Sequence, residues 1–575
     1  MFFATRASRE FWLFVLMALL VLGAGLGLRD PWPSDEPRFA LAARQMVESG
    51  NWLFPHRGSE LYSDKPPMLM WWQATIHGVT GNWRIAFLLP SLLAALGTLA
   101  CVYDLGRRLW TRRVGLYAAW ALLFALQFTF QAKKAQIDPL VVFFITLANY
   151  GLLRHLLCGP AWRWWVLGWF AAGLGVITKG VGVLALLMLL PAAVAMALRW
   201  PRMDFRLLRD WRFWLGPLAL LVAVGLWLVP VAWSALSQGT AEYRAYLDDI
   251  LFRQTAKRYT RSWDHHQPPW YHLLTMLTMW LPAFLAVPWA IPAWRRRLRR
   301  RDARYLLPLA WWAMVVVFFS IPAGKRDVYI LPALPMFCLA LAPLLPGLLR
   351  RRGFKAALLG FAGVLVAVLL AAGVAVLAGS SPFEARLMAN RGLDAGTVDT
   401  LAWVMLAIGA WGAGSLLLFG WRRVHAALAS TLAGFWVAYG LFGYPLLNDS
   451  GSAAGLMRSV GQRLDARAEL GLVAWKEQNL LMADRPAQDF GFKVPWDEQL
   501  RRGVAWQAKA PAQRWLLVQE PAMLDCVDRA RAELAGIANR RRWWLVPAGA
   551  VNGPCVAGAG ALDEQQREQQ DDESE

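Results

Sequence analysis

Six polar clusters in this chain combine residue types suited to chemistry on an anionic substrate. They are Asp35-Glu36-Pro37-Arg38, Tyr62-Ser63-Asp64-Lys65-Pro66-Pro67, Lys133-Lys134 with Asp138, Lys179, Asp264-His265-His266, and Lys325-Arg326 with Tyr329. Lysine and arginine supply charge-assisted donors for phosphate oxygens. A departing phosphate needs such donors to hold the charge that develops on it. A carboxylate can deprotonate or orient an acceptor. Together these groups fit transfer from a phosphate-bearing lipid, provided that they meet at one membrane face. Singly each has a plainer reading. Helix-end lysines snorkel to headgroups, and Asp138 can cap a helix ahead of Pro139.

The elements that must position these clusters are membrane helices. The 575 residues are 57% hydrophobic with 34 tryptophans, and only 17% are charged, too few for a soluble chain of this length. Apolar runs of about 18–22 residues recur, long enough to cross roughly 30 Å of hydrocarbon. The net charge of +21 does not imply nucleic-acid binding, because the arginines lie in short clusters between apolar runs. The first apolar run is read as a retained span, since Leu26-Gly27-Leu28-Arg29 lacks a small-x-small cleavage site.

Thirteen spans are expected. They lie at about 10–28, 84–105, 114–131, 138–157, a hairpin with its tip at 178–180, 213–235, 272–293, a second hairpin with its tip at 324–327, 356–378, 399–419 and 427–445. With a cytoplasmic N-terminus, this alternation puts every dense arginine cluster inside and all six polar clusters outside. In the first outer loop, Asp35 or Glu36 can cap a short helix with Pro37 in its first turn, and Gly50 can stop it. Phe39, Ala42, Ala43, Met46 and Val47 share one face of that helix, which is expected to lie along the membrane surface. Pro67–Val79 is short for a span and suits an interfacial or re-entrant helix.

After Tyr444 the composition becomes that of a small soluble α/β domain. Gly471–Trp475, Arg514–Val518 and Trp543–Val546 read as strands and Pro521–Gly536 as a helix. The organisation predicted is a membrane domain over 1–446, with outer loops 29–83 and 236–271 near the site, an external domain over 447–560, and a disordered acidic tail over 561–575. Cys526 and Cys555 can form a disulfide if that domain is outside the cytoplasm, whereas Cys101, Cys158 and Cys338 fall in or beside apolar runs and read as packing residues. No Walker motif, zinc-finger spacing or dinucleotide fingerprint occurs.

Asp35-Glu-Pro-Arg-Phe-Ala, Tyr62-Ser-Asp-Lys-Pro-Pro, Gln131-Ala-Lys-Lys-Ala-Gln-Ile-Asp138-Pro, Thr178-Lys-Gly, His266-Gln-Pro-Pro-Trp-Tyr and Lys325-Arg-Asp-Val-Tyr-Ile-Leu-Pro occur in this order. The set resembles the lipid A aminoarabinose transferases, within the protein O-mannosyltransferase superfamily of GT-C glycosyltransferases. The resemblance implies an all-α polytopic fold of GT-C type with periplasmic juxtamembrane helices, set in a bacterial inner membrane. It implies an inverting glycosyltransferase that takes its sugar from a polyprenyl phosphate, with lipid A or another envelope molecule as acceptor and no nucleotide cofactor. By the same resemblance Asp35 and Asp138 are the candidate catalytic carboxylates. Arg38, Tyr62, Lys65, Lys179, Lys325, Arg326 and Tyr329 would bind substrate or its phosphate, and Asp64 and His266 a divalent metal ion or substrate. Two positions depart from the pattern. Asp64 replaces a more usual glutamate, shortening a possible ligand, and Phe39 replaces a tyrosine, removing a hydroxyl. A transporter or flippase of lipid-linked sugars is the alternative, but it would carry charges within its spans and internal repeats, and here the polar groups gather at the outer ends.

Overall fold

The computed structural model describes residues 6–203, 210–237, 240–251, 266–379, 388 and 392–555. Asp264, His265 and the acidic tail lie outside the described residues. Among the described residues eight helices are long and apolar enough to cross a membrane, or ten if each of two bent pairs is one span. The other three expected spans fall on Arg6–Gly23, Trp162–Lys179 and the shorter Val181–Ala197.

The two bends interlock. Arg112–Leu123 and Leu126–Ala132 meet at 70°, and Tyr271–Met279 and Ala283–Arg299 at 100° across Pro282, which has no N–H to continue the helix. The two breaks are joined by one backbone and one side-chain hydrogen bond. Leu126 N–H donates to the Leu281 carbonyl at 3.0 Å, and Trp280 Nε1 donates to Gln127 Oε1 at 2.8 Å. Gln127 Nε2 in turn donates to the Asp327 carbonyl at 2.8 Å, anchoring the tip that carries Arg326.

The predicted short helix forms over Glu36–Ser49, with Pro37 in its first turn and Gly50 in the left-handed region at φ 70°. Phe39, Ala42, Ala43 and Met46 pack against Tyr62 and Met68–Met70, while Ala40 and Leu41 pack against Met457 and Trp475 of the C-terminal domain. The helix is therefore packed between the first outer loop and the C-terminal domain. Val47, assigned to the buried face, is 38% exposed, because it falls one step around the helix from Met46 and off the packed stripe. Pro67–Val79 is realised as the helix Met68–Thr80.

The C-terminal domain is built on a five-stranded mixed sheet. Its strands are β3 (Glu469–Val473), β4 (Ala487–Asp489), β5 (Arg514–Gln519), β6 (Glu533–Ala538) and β7 (Arg541–Val546); β1 (His56–Arg57) and β2 (Glu60–Leu61) form a separate hairpin in the first outer loop. The sheet order is β4-β3-β5-β7-β6, with β3 parallel to both neighbours and β7 antiparallel to both of its own. The helix expected over Pro521–Gly536 does not form. Asn539 and Arg540, with φ of 52° and 64°, make a tight turn that pairs β6 with β7. Upstream, the Cys526–Cys555 disulfide and the backbone bonds from Asp528 to Ala550 and from Asn552 to Cys526 tie a run of turns to the 550–555 segment, where a helix would have to run on. Cys338 is buried as expected, but Cys158 is exposed, because it stands just past the last turn of Ile137–Leu157.

Candidate active site

The two adjacent carboxylates at the start of the Glu36–Ser49 helix point to different tasks. Glu36 is buried and pairs with both guanidinium nitrogens of Arg29, Nη2 donating to Oε1 at 2.7 Å. It also accepts the N–H groups of Trp32 and Ala135, each at 2.8 Å. The same two terminal nitrogens of Arg29 also donate to the carbonyls of Asp30 and Lys133, and the guanidinium lies 4.8, 5.2 and 4.7 Å from the ring centres of Trp32, Phe87 and Tyr444. Glu36 is thus a structural hub. It joins the end of the first span, the start of the short helix and the 133–136 loop.

Asp35 stands at the helix start but makes no side-chain cap. Its carboxylate instead accepts from Gln136 Nε2 at 3.0 Å and faces Arg38 Nη1 at 3.7 Å and Arg326 Nη2 at 3.9 Å. Burial pushes its pKa up. The charges of Arg38, Arg326, Lys65 and Lys179 outweigh that and hold it below the usual carboxylate range. Asp35 is therefore an ionised carboxylate ringed by four cations from four separate stretches of chain.

The remaining expected residues divide. Lys179 binds Asp138 at 2.6 Å and lies 5.2 Å from the Tyr329 ring centre. Asp138 is thereby engaged by Lys179 and does not cap its helix. Tyr62 is buried with no hydrogen-bond partner for its hydroxyl among the described residues, and the charges nearest it are those of Arg38, Asp64, Arg57 and Asp35. Lys65 donates to the carbonyl of Asp64 at 3.1 Å. Lys325 is not turned toward Asp35; its ammonium donates to the carbonyl of Gln267 at 2.9 Å and tightens the outer turn, and His266 bridges Gly324 through its backbone while standing exposed.

Asp64 lies 4.0 Å from Arg57, and the charges of Arg57, Lys65, Arg38 and Lys493 overcome the effect of burial and lower its pKa. Among the described residues no three His, Cys, Asp or Glu side chains group so as to hold a metal ion. The charged groups acting on Asp64 are cations, so among the described residues those present do not fit a divalent metal there.

Three residues at the site escaped sequence reasoning. Gln136 lies inside a quoted motif, but an amide carries no charge signal. Arg57 sits in the β1–β2 hairpin and stacks 3.7 Å from the ring centre of Phe492. Glu477, from the C-terminal domain, accepts from Arg38 Nε at 3.1 Å and lies 3.6 Å from Arg57 Nη1. It is separated from Arg38 by 439 positions, so no local pattern could have linked them. The site thus holds five cations (Arg38, Arg57, Lys65, Lys179, Arg326) against four carboxylates (Asp35, Asp64, Asp138, Glu477), an excess that suits an anionic ligand.

A family model described as dolichyl-phosphate-mannose-protein mannosyltransferase matches residues 64–229. The chain is 31% identical over 441 residues to the undecaprenyl phosphate-alpha-4-amino-4-deoxy-L-arabinose arabinosyl transferase of Pseudomonas aeruginosa, covering 74% of each chain. This chain belongs to that arabinosyl transferase family. It is accordingly a membrane glycosyltransferase that uses a sugar linked to a lipid phosphate. Its fold is that of ArnT from Cupriavidus metallidurans. The apo structure superposes with a TM-score of 0.71 at 22% identity, over 96% of this chain and 100% of that one. A second structure of the same protein, bound to undecaprenyl phosphate, matches with a TM-score of 0.69 at 22% identity, over 95% and 99% of the two chains. The transferase therefore has the GT-C architecture expected, with a small mixed-sheet domain at its C-terminus.

Proposed function

We propose that the transferase moves a 4-amino-4-deoxy-arabinose-type sugar from undecaprenyl phosphate to a phosphate of lipid A, with inversion, at the outer face of the bacterial inner membrane. The observation that carries this reading is the ionised Asp35 ringed by Arg38, Arg326, Lys65 and Lys179. An acceptor phosphate oxygen attacks the anomeric carbon while the bond from that carbon to the polyprenyl phosphate oxygen breaks. The electron pair leaves with the polyprenyl phosphate, which gains the negative charge that the acceptor loses. The cations stabilise that developing charge. A dianionic acceptor phosphate needs no proton removed, so Asp35 acts by keeping the arginines and lysines converged, and these cations orient the phosphates. Inversion suits the arrangement because the other carboxylates are committed, Asp138 to Lys179, Glu477 to Arg38 and Asp64 to Arg57. The activity of the arabinosyl transferase relatives supports the donor, and the arginine clusters of the sequence support the orientation.

The test is turnover of the reconstituted protein with the undecaprenyl-phosphate aminoarabinose donor and lipid A. Asp35→Asn should lower kcat at least about a hundredfold; equal turnover by both proteins removes Asp35 from the mechanism. Because Asp35 stays ionised below the usual carboxylate range, it should contribute no acid limb between pH 5 and 7. A limb there should follow the second ionisation of the acceptor phosphate, near about 6.

A further inference from the structure

Asp35 borders a second compartment. A cavity of about 190 Å³ is lined by Ser34, Asp35, Phe130, Lys134, Gln136 and Tyr439 among others, and by none of Arg38, Lys65, Lys179 or Arg326. It has room for roughly six water molecules at about 30 Å³ each, enough for a phosphate group and its neighbouring atoms. The cavity thus reaches Asp35 from the Gln136 side, at the Oδ2 that Arg326 also approaches at 3.9 Å.

Most charged groups around this cavity are already satisfied. Arg29 and Glu36 engage each other, and Lys133 Nζ donates to the carbonyl of Ala24 at 2.8 Å. Lys134 differs. Among the described residues its ammonium has no carboxylate within ion-pair distance, and it rests 4.1 Å from the ring centre of Phe130. Burial pushes its pKa down against the longer-range pull of Glu36, Asp327 and Asp35. Gln136 supplies an independent sign. Its Nε2 is given to Asp35, while its Oε1 is buried without a partner among the described residues. A half-buried cation lacking a counterion and an orphaned amide oxygen, both on one cavity beside the reactive carboxylate, describe a site completed by an anionic, hydroxyl-bearing ligand.

We propose that this cavity seats the anionic phosphate of the acceptor, with Lys134 as its ion-pairing residue and Gln136 Oε1 accepting from a hydroxyl beside that phosphate while its Nε2 holds Asp35. The proposal rests on the reading of the reaction given above and adds to it a place for the second substrate. Two phosphates must be held apart on either side of the anomeric carbon for in-line displacement. Arg38, Lys65, Lys179 and Arg326 would then serve the donor phosphate and Lys134 the acceptor.

The experiment uses the full-length protein in lipid nanodiscs and the variants Lys134→Ala, Lys134→Gln and Lys134→Arg, with thermal unfolding as the check on folding. Equilibrium binding of lipid A without donor and, separately, of undecaprenyl phosphate gives one pair of readouts; the KM for each substrate gives another. Loss of a charge-assisted bond should weaken lipid A binding and raise its KM at least about tenfold in the alanine and glutamine variants. The arginine variant should stay within about threefold, and affinity for undecaprenyl phosphate should not change. A weakened undecaprenyl phosphate affinity with intact lipid A affinity would assign the cavity to the donor and overturn the proposal. Unchanged affinity for both, or equal loss of both in folded protein, would also overturn it. Wild-type turnover of lipid A tests the preceding reading on its own, while the binding readout tests the cavity whether or not that turnover is seen.

Discussion

Glu36 offers the sharpest test of how the site is held. Glu36→Ala leaves the guanidinium of Arg29, 2% exposed, without its counterion. Removing one partner of a buried pair costs about 3–5 kcal/mol. The N–H groups of Trp32 and Ala135 lose their acceptor as well, at about 1–3 kcal/mol each if nothing replaces it. These losses share one network and do not add, so a total of about 4–6 kcal/mol is expected. That is a large share of the roughly 5–15 kcal/mol that holds a folded domain together. Thermal unfolding of the purified protein in detergent reads the effect, and a double-mutant cycle with Arg29→Met and Glu36→Met isolates the pair. The double variant should unfold at a higher temperature than either single one, because neither charge is then stranded. The surviving folded fraction of Glu36→Ala should also lose kcat, since Ala135 adjoins the Gln136 that holds Asp35. Wild-type thermal stability in Glu36→Ala, or a double variant no better than the singles, would refute the hub assignment.

Three further outcomes are expected. Glu477→Gln should raise the KM for the donor about tenfold, as Arg38 and Arg57 lose their shared carboxylate, with Glu477→Asp recovering part of it; an unchanged KM would mean that Arg38 is oriented without the C-terminal domain. Mass mapping under non-reducing conditions should find Cys526 joined to Cys555 in protein taken directly from membranes, and Cys526→Ser should destabilise the C-terminal domain by about 3–4 kcal/mol for a loop of this length; two free thiols would count against an external domain. Lys133 has its pKa lowered to about 7 by burial and by Arg29. Its folded value lies below its unfolded one, so the unfolded state binds more protons between the two. Stability should therefore rise as pH climbs from about 7 toward about 10. Subtracting the thermal profile of Lys133→Met should remove that rise, and identical slopes in the two proteins would contradict the assignment.

The sequence by itself determined the membrane-helix architecture, the short helix after the first span and the roster of polar clusters. These are local properties. Apolar runs of span length, a proline placed in a first turn and a glycine at a helix end act within a few residues of themselves. The division of labour between Asp35 and Glu36 was not local, and only the tertiary structure decided it. Nothing at positions 35 and 36 says that Arg29 will claim one carboxylate while Arg326 and Gln136 face the other. The contribution of Glu477 likewise arises because the C-terminal domain packs on the Glu36–Ser49 helix, bringing together residues more than four hundred positions apart. The strand at Glu533–Ala538 depended on pairing with β7, and hydrogen bonding across the sheet overrode a pattern that reads locally as helix. The chain thus carried the chemical groups of the site in plain view. Which group meets which was settled by long-range packing, because a buried charge takes whichever counterion the fold brings within reach.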